Sequence, residues 1–359
     1  MSKSINFIAP INQFGYGIAG TNIVKAAEEE GLRLNLIPLS VEIPESESGV
    51  KVTVAQAIER GTNFDGKAPS VRMYHQFDLA LHCGNPRYGF PFFELDSFTP
   101  RELHHLKNQD ELIVASKWAV DVIKNNGIEL PTHVVPLGVD RSIFYDEDFK
   151  HEGTTVFFNV GKWEIRKGHD ILIEAFEKAF TKDDDVKLVM ACCNPFLNPT
   201  ESKEWIFRYT NGKLGDKVVV YPHRLAGQRE VAKLMRDGDV GVFPARAEGW
   251  NLDMLEAMSC GKHIITTRNT AHTEFCNEAN SIMIDTPEKE KAYDGKWFFE
   301  QGSWHKIGTK EIDQLAEAMR YFHKQKQMGS LDKNLAGVDT ARQFSWSNTV
   351  QTMWRHIHG

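Results

Sequence analysis

The chain has 359 residues, of which 41% are hydrophobic and 25% are charged, and its formal net charge is −7. This length suits two domains of about 100–200 residues each, and the composition is that of a globular protein with substantial cores. The acidic balance argues against a nucleic-acid-binding protein, and the scattered lysines and arginines form no polybasic segment for an anionic membrane surface.

Neither export nor a membrane span is expected. Residues 1–7 lack the long apolar region of a signal peptide, and nowhere do about 18 apolar residues run together. None of the five cysteines belongs to a Cys-x-x-Cys pair, so we expect reduced thiols and no zinc site. These features predict a cytoplasmic protein.

Strands and helices alternate along the first part of the chain. The helices end at glycines, Gly31 and Gly127, which favour the helix terminus. The alternation predicts a parallel, doubly wound sheet. Strands are predicted at 5–9, 34–38 and 112–115, and helices at 18–30 and 116–126.

A second copy of this pattern begins at residue 156. Its first helix, 170–180, places apolar side chains on one face. The chain is therefore predicted to be α/β, with two Rossmann-like domains, 1–148 and 149–343, joined through an acidic linker at 146–152. Its strands are predicted at 156–160, 186–191, 218–221, 240–243 and 264–266, with a further helix at 229–236.

The most informative segment runs from Glu248 to Glu256 and places two carboxylates eight positions apart. Glu248 follows the predicted strand at 240–243, and Glu256 lies in the first turns of the next helix. Ligands of open α/β sheets bind at the carboxyl ends of strands, so the segment predicts a ligand site. A carboxylate near a helix start also complements the helix dipole, and that alternative stays open for Glu256.

From Glu248 the chain has the string Glu-Gly-Trp-Asn-Leu-x-x-Leu-Glu-Ala-Met-x-Cys-Gly. This string resembles the E-x7-E signature of family 4 of the retaining glycosyltransferases. The resemblance implies the GT-B fold, in which two Rossmann-like domains face one another across a cleft and the last helix, here 344–359, crosses back to the amino-terminal domain. It also implies that Glu248 lies near the donor sugar and that Glu256 binds the ribose. Further donor contacts are implied for Gly249, Trp250, Asn251 and Leu252.

Two lysines five positions apart, Lys162 and Lys167, follow the first strand of the second half. Cations on a loop that leads into a helix can hold one dianionic group, aided by the helix amino terminus. The string from Gly161 resembles the family's Gly-Arg-Leu-x-x-x-Lys-Gly, whose two cations neutralise the donor diphosphate. Lys162 stands in the arginine position, which keeps the charge and loses the bidentate fork.

The amino-terminal half contains a Gly-x-Gly-x-x-Gly string that begins at Gly15. This string raises the alternative of an NAD(P)-dependent oxidoreductase. Residues 10–14 separate the strand from Gly15, whereas the dinucleotide fingerprint turns directly off its strand. The family resemblance instead assigns Gly15 and Gly17 to the donor phosphate and the acceptor.

Three further positions are predicted from the resemblance to lie on the acceptor side: His82, Glu94 and Asp96. Each is expected at the end of a strand, where a satisfied histidine or a capping carboxylate is also common. Glu94 is additionally a candidate catalytic residue. The donor base is expected near the strand end that carries His223 and Arg224.

The resemblance implies a retaining glycosyltransferase that moves a sugar from a nucleotide-sugar to an acceptor hydroxyl of a glycan, lipid or small molecule. The catalytic candidates are Glu248, Lys162, Lys167 and Glu94. GDP-mannose is weakly favoured over a UDP-sugar as donor. A GT-B phosphorylase and a sugar-nucleotide epimerase remain alternatives.

No cofactor or metal is expected, because Lys162 and Lys167 meet the phosphate charge and the acidic run at 183–185 is predicted to be a turn. The expected partners are the donor and the acceptor, without nucleic acid, and the expected state is a monomer or weak dimer.

Overall fold

A computed structural model describes residues 3–44, 48–148 and 152–359. The chain divides into two compact units, Met1–Asp140 with Gln343–Gly359, and Arg141–Arg342. The linker predicted at 146–152 and the predicted boundary at 148/149 involve residues 149–151, which lie outside the described residues.

The first unit is built on a six-stranded parallel sheet with the order β2-β1-β3-β4-β5-β6. This order places β1 between β2 and β3, so the chain reverses direction across the sheet there, as in other doubly wound sheets. The strands are β1 (Ile5–Ile11), β2 (Leu34–Val41), β3 (Ser70–Arg72), β4 (Arg87–Gly89), β5 (Glu111–Val114) and β6 (Thr132–Val134). The helices are α1 (Gly15–Glu29), α2 (Ser48–Thr62), α3 (Pro100–Lys107) and α4 (Lys117–Asn125).

Local sequence explains where these helices begin. Thr99 accepts a hydrogen bond from the Glu102 amide, and the Glu102 side chain returns one to the Thr99 amide, which forms a capping box. Ser116 caps α4 by accepting a hydrogen bond from the Ala119 amide. A cap satisfies backbone amides that the first turn of a helix leaves without partners.

The second unit contains another six-stranded parallel sheet, with the order β12-β11-β10-β7-β8-β9. Read from β9, this is the Rossmann order 3-2-1-4-5-6. Its strands are β7 (Thr155–Gly161), β8 (Val186–Cys192), β9 (Val218–Val220), β10 (Val240–Phe243), β11 (His263–Arg268) and β12 (Ile282–Asp285). Its helices are α5 (His169–Ala179), α6 (Pro199–Thr210), α7 (Gln228–Asp237), α8 (Leu252–Ser259), α9 (Thr309–Gln327) and α10 (Leu335–Gln343).

The pairing of β7 with β10 matters most for the site. Val240 pairs with Phe157, and Gly241 pairs with Phe158. Since β7 and β10 are the first and fourth strands of a Rossmann order, the crevice at their carboxyl ends is the switch point where such sheets bind ligands.

Residues 286–308 contain an antiparallel hairpin. It consists of β13 (Lys289–Tyr293) and β14 (Phe299–His305). The Trp304 indole donates to Glu290 across the hairpin, at 3.0 Å. The alternation of polar and apolar residues in a two-stranded ribbon is a weak signal, which is why the sequence did not reveal it.

The last helix, α11 (Trp346–His358), belongs to the first unit. Ser345 caps it, and Trp346, Val350 and Met353 are buried. The Thr349 hydroxyl donates to the Pro136 carbonyl at 2.7 Å. The prediction that this helix returns to the amino-terminal half is therefore confirmed.

Each unit has an apolar core along its sheet. In the second unit the core joins strand residues such as Phe157 and Leu188 to helix residues such as Phe176, Leu315 and Met319. Among the described residues, none of the helices has both the length and the apolar character that a membrane crossing requires.

Candidate functional site

The candidate site lies where β7 and β10 end. Residues 162–168 follow β7, and residues 244–251 follow β10. Glu248 is buried in this crevice, 5% exposed. The ammonium group of Lys167 donates to Glu248 Oε1 at 2.9 Å, so the structure brings these two predicted residues together.

Arg166, which the sequence did not single out, is the second cation on Glu248. Its guanidinium is buried and donates to Glu248 Oε2 at 2.9 Å and to the Ala247 carbonyl at 2.7 Å. Its other nitrogens donate to Glu164 Oε2 at 2.7 and 3.1 Å. Arg166 therefore bridges two buried carboxylates, a geometry that suits the planar guanidinium.

These charges set the protonation of the site. Burial alone would raise the pKa of Glu248, but the positive charges of Lys167 and Arg166 outweigh it and lower that pKa to about 2. Burial would likewise lower the pKa of Lys167, yet Glu248 and Asp253 raise it above its ordinary value. Glu248 is thus a carboxylate and Lys167 an ammonium ion at neutral pH.

Lys162 lies at the edge of the same cluster. Its ammonium group is 3.1 Å from Glu164 Oε1, and its side chain is 40% exposed, against 13% for Lys167. Asp253, in the first turn of α8, is 3.9 Å from Lys167. Burial, with Glu248 nearby, raises the pKa of Asp253 to about 6, although Lys167 lowers it.

Two left-handed residues shape the loops that carry these side chains. Gly168, with φ +74°, begins α5, and an added Cβ would lie 2.0 Å from the Pro244 carbonyl oxygen. Only glycine fits there, and the close approach joins the loop after β7 to the strand end of β10. Asn251, with φ +79°, caps α8 by accepting the Met254 amide at 3.2 Å.

The loop after β11 holds Glu248 from the other side. The Glu248 amide donates to the Thr270 hydroxyl at 2.9 Å, and the Ala271 amide donates to the Glu248 carbonyl at 3.2 Å. Thr270 itself has φ +48°, a costly conformation for a β-branched residue. Such strain persists where surrounding contacts fix it, and it clusters at functional sites.

A buried histidine fixes the start of α5. The Glu164 amide donates to His169 Nδ1 at 3.1 Å, so the other ring nitrogen, Nε2, carries the proton and donates to Asn159 Oδ1 at 2.9 Å. Burial lowers the pKa of His169 to about 3, helped by the charge of Lys167. His169 is therefore a neutral structural residue that ties the cationic loop to β7.

The other predicted donor residues lie along the same sheet edge. Gly249 precedes the buried Trp250, and the Trp250 ring packs on Phe275 with centroids 5.1 Å apart. Leu252 opens α8, in which Glu256 is buried. His223 and Arg224 are exposed and follow the edge strand β9.

In the first unit, an aromatic cluster occupies the carboxyl edge of the sheet near β1 and β3. Gly15 is exposed at the start of α1, and an added Cβ at Gly17 would lie 2.0 Å from Asn12 Oδ1. The Tyr16 hydroxyl donates to the Phe92 carbonyl at 2.9 Å and accepts the Phe92 amide at 2.7 Å. Burial raises the pKa of Tyr16, and the Glu94 carboxylate adds to that rise.

The segment that carries Glu94 and Asp96 is irregular and is not the strand end expected for it. β4 stops at Gly89, and the chain from 90 to 98 has no regular structure. The Asp96 carbonyl accepts the Asn126 side-chain amide at 3.0 Å. Glu94 therefore reaches the vicinity of Tyr16 through tertiary contacts and not by ending a strand.

His82 lies at the opposite, amino-terminal edge of this sheet. The strand expected to end at His82 does not form, and His82 is held between the hydroxyl of Ser70, the first residue of β3, at 3.1 Å and Gln109 Oε1 at 2.8 Å. Burial lowers the pKa of His82, so the ring is neutral at neutral pH. These contacts are those of a structural histidine, and His82 does not join Glu94 and Asp96.

Comparisons with known proteins agree with this geometry. The family model described as Glycosyl transferases group 1 matches residues 154–294, which include the loops after β7 and β10. This matched part of the chain, which makes up most of the second unit, is similar to the group 1 glycosyltransferases. This family is the one whose signature the segment from Glu248 resembles, so the prediction of the family is confirmed.

Two curated relatives are similar to this chain in sequence. One is an uncharacterized glycosyltransferase of Methanocaldococcus jannaschii, 28% identical over 236 residues, which are 57% of this chain and 59% of the relative. The other is the MMP alpha-(1->4)-mannosyltransferase of Mycolicibacterium hassiacum, 24% identical over 189 residues, which are 52% of this chain and 43% of the relative. The chain thus matches about half the length of these relatives.

Solved structures establish the fold. Sucrose-phosphate synthase from Thermosynechococcus elongatus has a TM-score of 0.70 at 14% identity, covering 99% of this chain and 98% of the other. Anabaena HepE in complex with UDP-glucose has a TM-score of 0.67 at 16% identity and covers 99% of each chain. The predicted GT-B fold is confirmed.

Proposed function

We propose that this protein transfers a sugar, with retention at the anomeric carbon, from a nucleotide-sugar to an acceptor hydroxyl. The observation that carries the proposal is the buried Glu248 carboxylate, held by Lys167 and Arg166 at the switch point of the second sheet. Burying a charged group costs free energy unless the group is paired. A role in binding or catalysis explains why several charged side chains are buried together here.

In the proposed complex, Lys167 and Lys162 bind the donor diphosphate, and the amino terminus of α5 adds its dipole. The bond between the anomeric carbon and the diphosphate oxygen breaks as the acceptor oxygen attacks from the same face. The acceptor proton passes to the leaving diphosphate. Fixed cations aimed at the developing charge stabilise such a transition state without reorganisation.

The remaining predicted residues receive proposed roles in recognition. Glu248 lies near the donor sugar, and Glu256 accepts hydrogen bonds from the ribose. In the first unit, Glu94 and Asp96 bind the acceptor. Gly15 and Gly17 lack side chains, so the backbone beside β1 can approach the donor phosphate and the acceptor. Further donor contacts come from Gly249, Trp250, Asn251 and Leu252 for the sugar, and from His223 and Arg224 for the base.

GDP-mannose is the donor we favour. The mannosyltransferase relative supports mannose, whereas the structure of HepE with UDP-glucose supports the alternative class of donor. Because His223 and Arg224 are exposed side chains at the end of an edge strand, they discriminate weakly between uracil and guanine.

Thermal unfolding with added ligand ranks the donors without a known acceptor. A ligand that binds the folded state stabilises it by RT ln(1 + [L]/Kd), about 2.7 kcal/mol at a hundredfold excess over Kd. We expect a larger rise in melting temperature with GDP-mannose than with UDP-glucose. The reverse order would replace the donor, and no shift with GDP, UDP, their sugars or NAD(P) would contradict nucleotide binding altogether.

The anomeric outcome is tested separately. Once a donor is found, proton NMR of the product distinguishes retention from inversion. Release of a sugar phosphate that depends on added inorganic phosphate would indicate a phosphorylase, and a changed sugar on intact nucleotide would indicate an epimerase.

A further inference from the structure

Arg166 occupies a position that the two-lysine motif does not explain. Its guanidinium is 5% exposed and contacts Glu164 and Glu248, which are both buried. Lys167 shares Glu248 with it, while Lys162 shares Glu164. Each carboxylate therefore has two cations, one of them Arg166 and the other a lysine that the proposed function assigns to the diphosphate.

A bound diphosphate changes this arrangement. When Lys167 turns its charge toward the phosphate oxygens, it weakens its contact with Glu248, and an uncompensated buried carboxylate is strongly unfavourable. The Arg166 contact to Glu248 remains, because its Nη1 atom is also anchored on the Ala247 carbonyl at 2.7 Å. The carboxylate then keeps a partner throughout donor binding.

We propose that Arg166 is a positioning residue that keeps the Glu248 carboxylate charge-compensated and in place while Lys167 exchanges it for the donor diphosphate. This inference rests on the proposed function, since it needs a diphosphate ligand. Arg166 itself touches no reacting atom in this scheme. Its effect reaches the donor through Glu248 and Lys167.

Removal of Arg166 gives donor binding a pH dependence. In Arg166→Met, Glu248 has only Lys167, so when the donor takes Lys167 the carboxylate must either bind a proton or remain buried with little compensation. Proton uptake is easier at low pH. The ratio of the variant Kd to the wild-type Kd therefore rises with pH, by up to about tenfold per pH unit.

Other titratable groups around Glu248 are accounted for by comparing the variants. His169 and His272 face it from α5 and from the segment after β11; burial lowers the pKa of both, and both are present in wild type and in every variant. Burial raises the pKa of Asp253, on α8, to about 6, and Asp253 is present in wild type and in every variant, so only the trend that Glu248→Gln removes is assigned to Glu248. In wild type, Glu164 is ionised, because Arg166, Lys162 and Lys167 outweigh the effect of burial and lower its pKa. Arg166→Met removes one of these cations, so Glu164→Gln is needed to separate the contribution of Glu164 from that of Glu248.

The test uses isothermal titration calorimetry of the full chain with GDP-mannose and UDP-glucose, at about pH 5.5 and about pH 8, and takes the ratio of Kd values at each pH. We expect the Arg166→Met ratio to be at least about tenfold at the higher pH and several-fold smaller at the lower. Adding Glu248→Gln removes the charge that needs compensation. The double variant should therefore lose the part of the pH trend that Glu248 causes and bind donor more like Glu248→Gln alone.

Arg166→Met/Glu164→Gln is the matched control, because it relieves the other carboxylate only. The pH trend should persist in it. If Arg166→Met does not fold, Arg166→Gln/Glu164→Gln removes one charge of each sign and should show the same trend.

A pH-independent loss of affinity, equal in both double variants, would show that Arg166 only shapes the loop and would overturn the proposal. Relief by Glu164→Gln and not by Glu248→Gln would also overturn it. Failure of the wild-type protein to bind either donor would instead contradict the proposed function, and the inference with it.

Discussion

Lys167 and Lys162 offer a matched pair for testing the diphosphate assignment, because the same substitution to methionine keeps most of the side-chain volume. Lys167 is 13% exposed, and its ammonium group lies 2.9 Å from Glu248. Lys162 is 40% exposed, at 3.1 Å from Glu164. Lys167→Met therefore removes a positive charge from a largely buried position, and Lys162→Met removes one from a solvent-exposed position.

The burial difference sets the expected magnitudes. Loss of one preorganised donor in a water-excluded site costs roughly 2.7–4 kcal/mol of transition-state stabilisation, or about 10²–10³ in rate. A cation exposed to solvent contributes at most about 1 kcal/mol, or roughly fivefold. We expect Lys167→Met to fall in the first range and Lys162→Met in the second.

The assay does not require the acceptor. Slow hydrolysis of the donor, with water in place of the acceptor, releases nucleotide diphosphate that a coupled assay detects, and calorimetry gives the donor Kd. Thermal unfolding of each variant shows whether the fold is intact, since Glu248 retains Arg166 when Lys167 is lost. An equal or larger loss of hydrolysis in Lys162→Met would refute the reasoning from burial.

Two further predictions concern stability. The pKa of Glu248 is depressed from 4.5 to about 2, so its ionised form contributes stability that is fully present above about pH 5 and is lost as pH falls toward 2, about 3 kcal/mol in all. In denaturant unfolding, the free energy of unfolding of Glu248→Gln should therefore fall less steeply with decreasing pH than that of wild type. An equally steep fall would contradict the depressed pKa. Gly168→Ala forces a Cβ to within 2.0 Å of the Pro244 carbonyl oxygen and should lower the free energy of unfolding by more than about 2 kcal/mol. Gly127→Ala, at a similar φ of +70° with open space around it, should lower it by only about 1 kcal/mol. Equal shifts in melting temperature would mean that the close approach at Gly168 relaxes without consequence.

Much of the fold was predictable because buried parallel strands are continuous apolar runs. The runs at 156–160 and 240–243 became β7 and β10, and glycines marked helix ends. The apolar residues at 79–81 were misleading, since no strand forms there. Tertiary hydrogen bonds replace the strand ladder at that point: Gln109 donates to the Leu79 carbonyl, and Arg72 donates to the Asp78 carbonyl.

Helix α9 was missed although its signal is strong. Ile312, Leu315, Met319 and Phe322 are buried at helical spacing over 19 residues. The three-residue strands β3, β4 and β6 carry almost no periodic signal, because two side chains on one face cannot be told from a loop. Those strands form because their neighbours in the sheet supply the pairing.

The candidate site shows the same division. Lys167 and Glu248 were predicted from motifs that each follow a strand, and they meet because β7 and β10 are neighbours at the switch point. Arg166 was not predicted, since a charged residue in a loop is ordinarily exposed. Its burial depends on Ala247 and Glu248, more than 80 positions further along the chain, a pairing that local sequence does not reveal.

The charge balance of the cluster suggests why a site proposed to bind an anion contains carboxylates. Three cations face three carboxylates there: Lys162, Arg166 and Lys167 lie against Glu164, Glu248 and Asp253. When all six side chains are ionised, the cluster is neutral before a ligand arrives. A diphosphate in a nucleotide-sugar adds two negative charges. The amino termini of α5 and α8 at the same sheet edge offset part of this addition, because helix amino ends carry positive partial charge. Asp253, with its pKa raised to about 6, can bind a proton and remove another part. A preformed neutral cluster avoids the mutual repulsion of three bare cations in a buried crevice, yet it releases lysine charge to an anion of the right size.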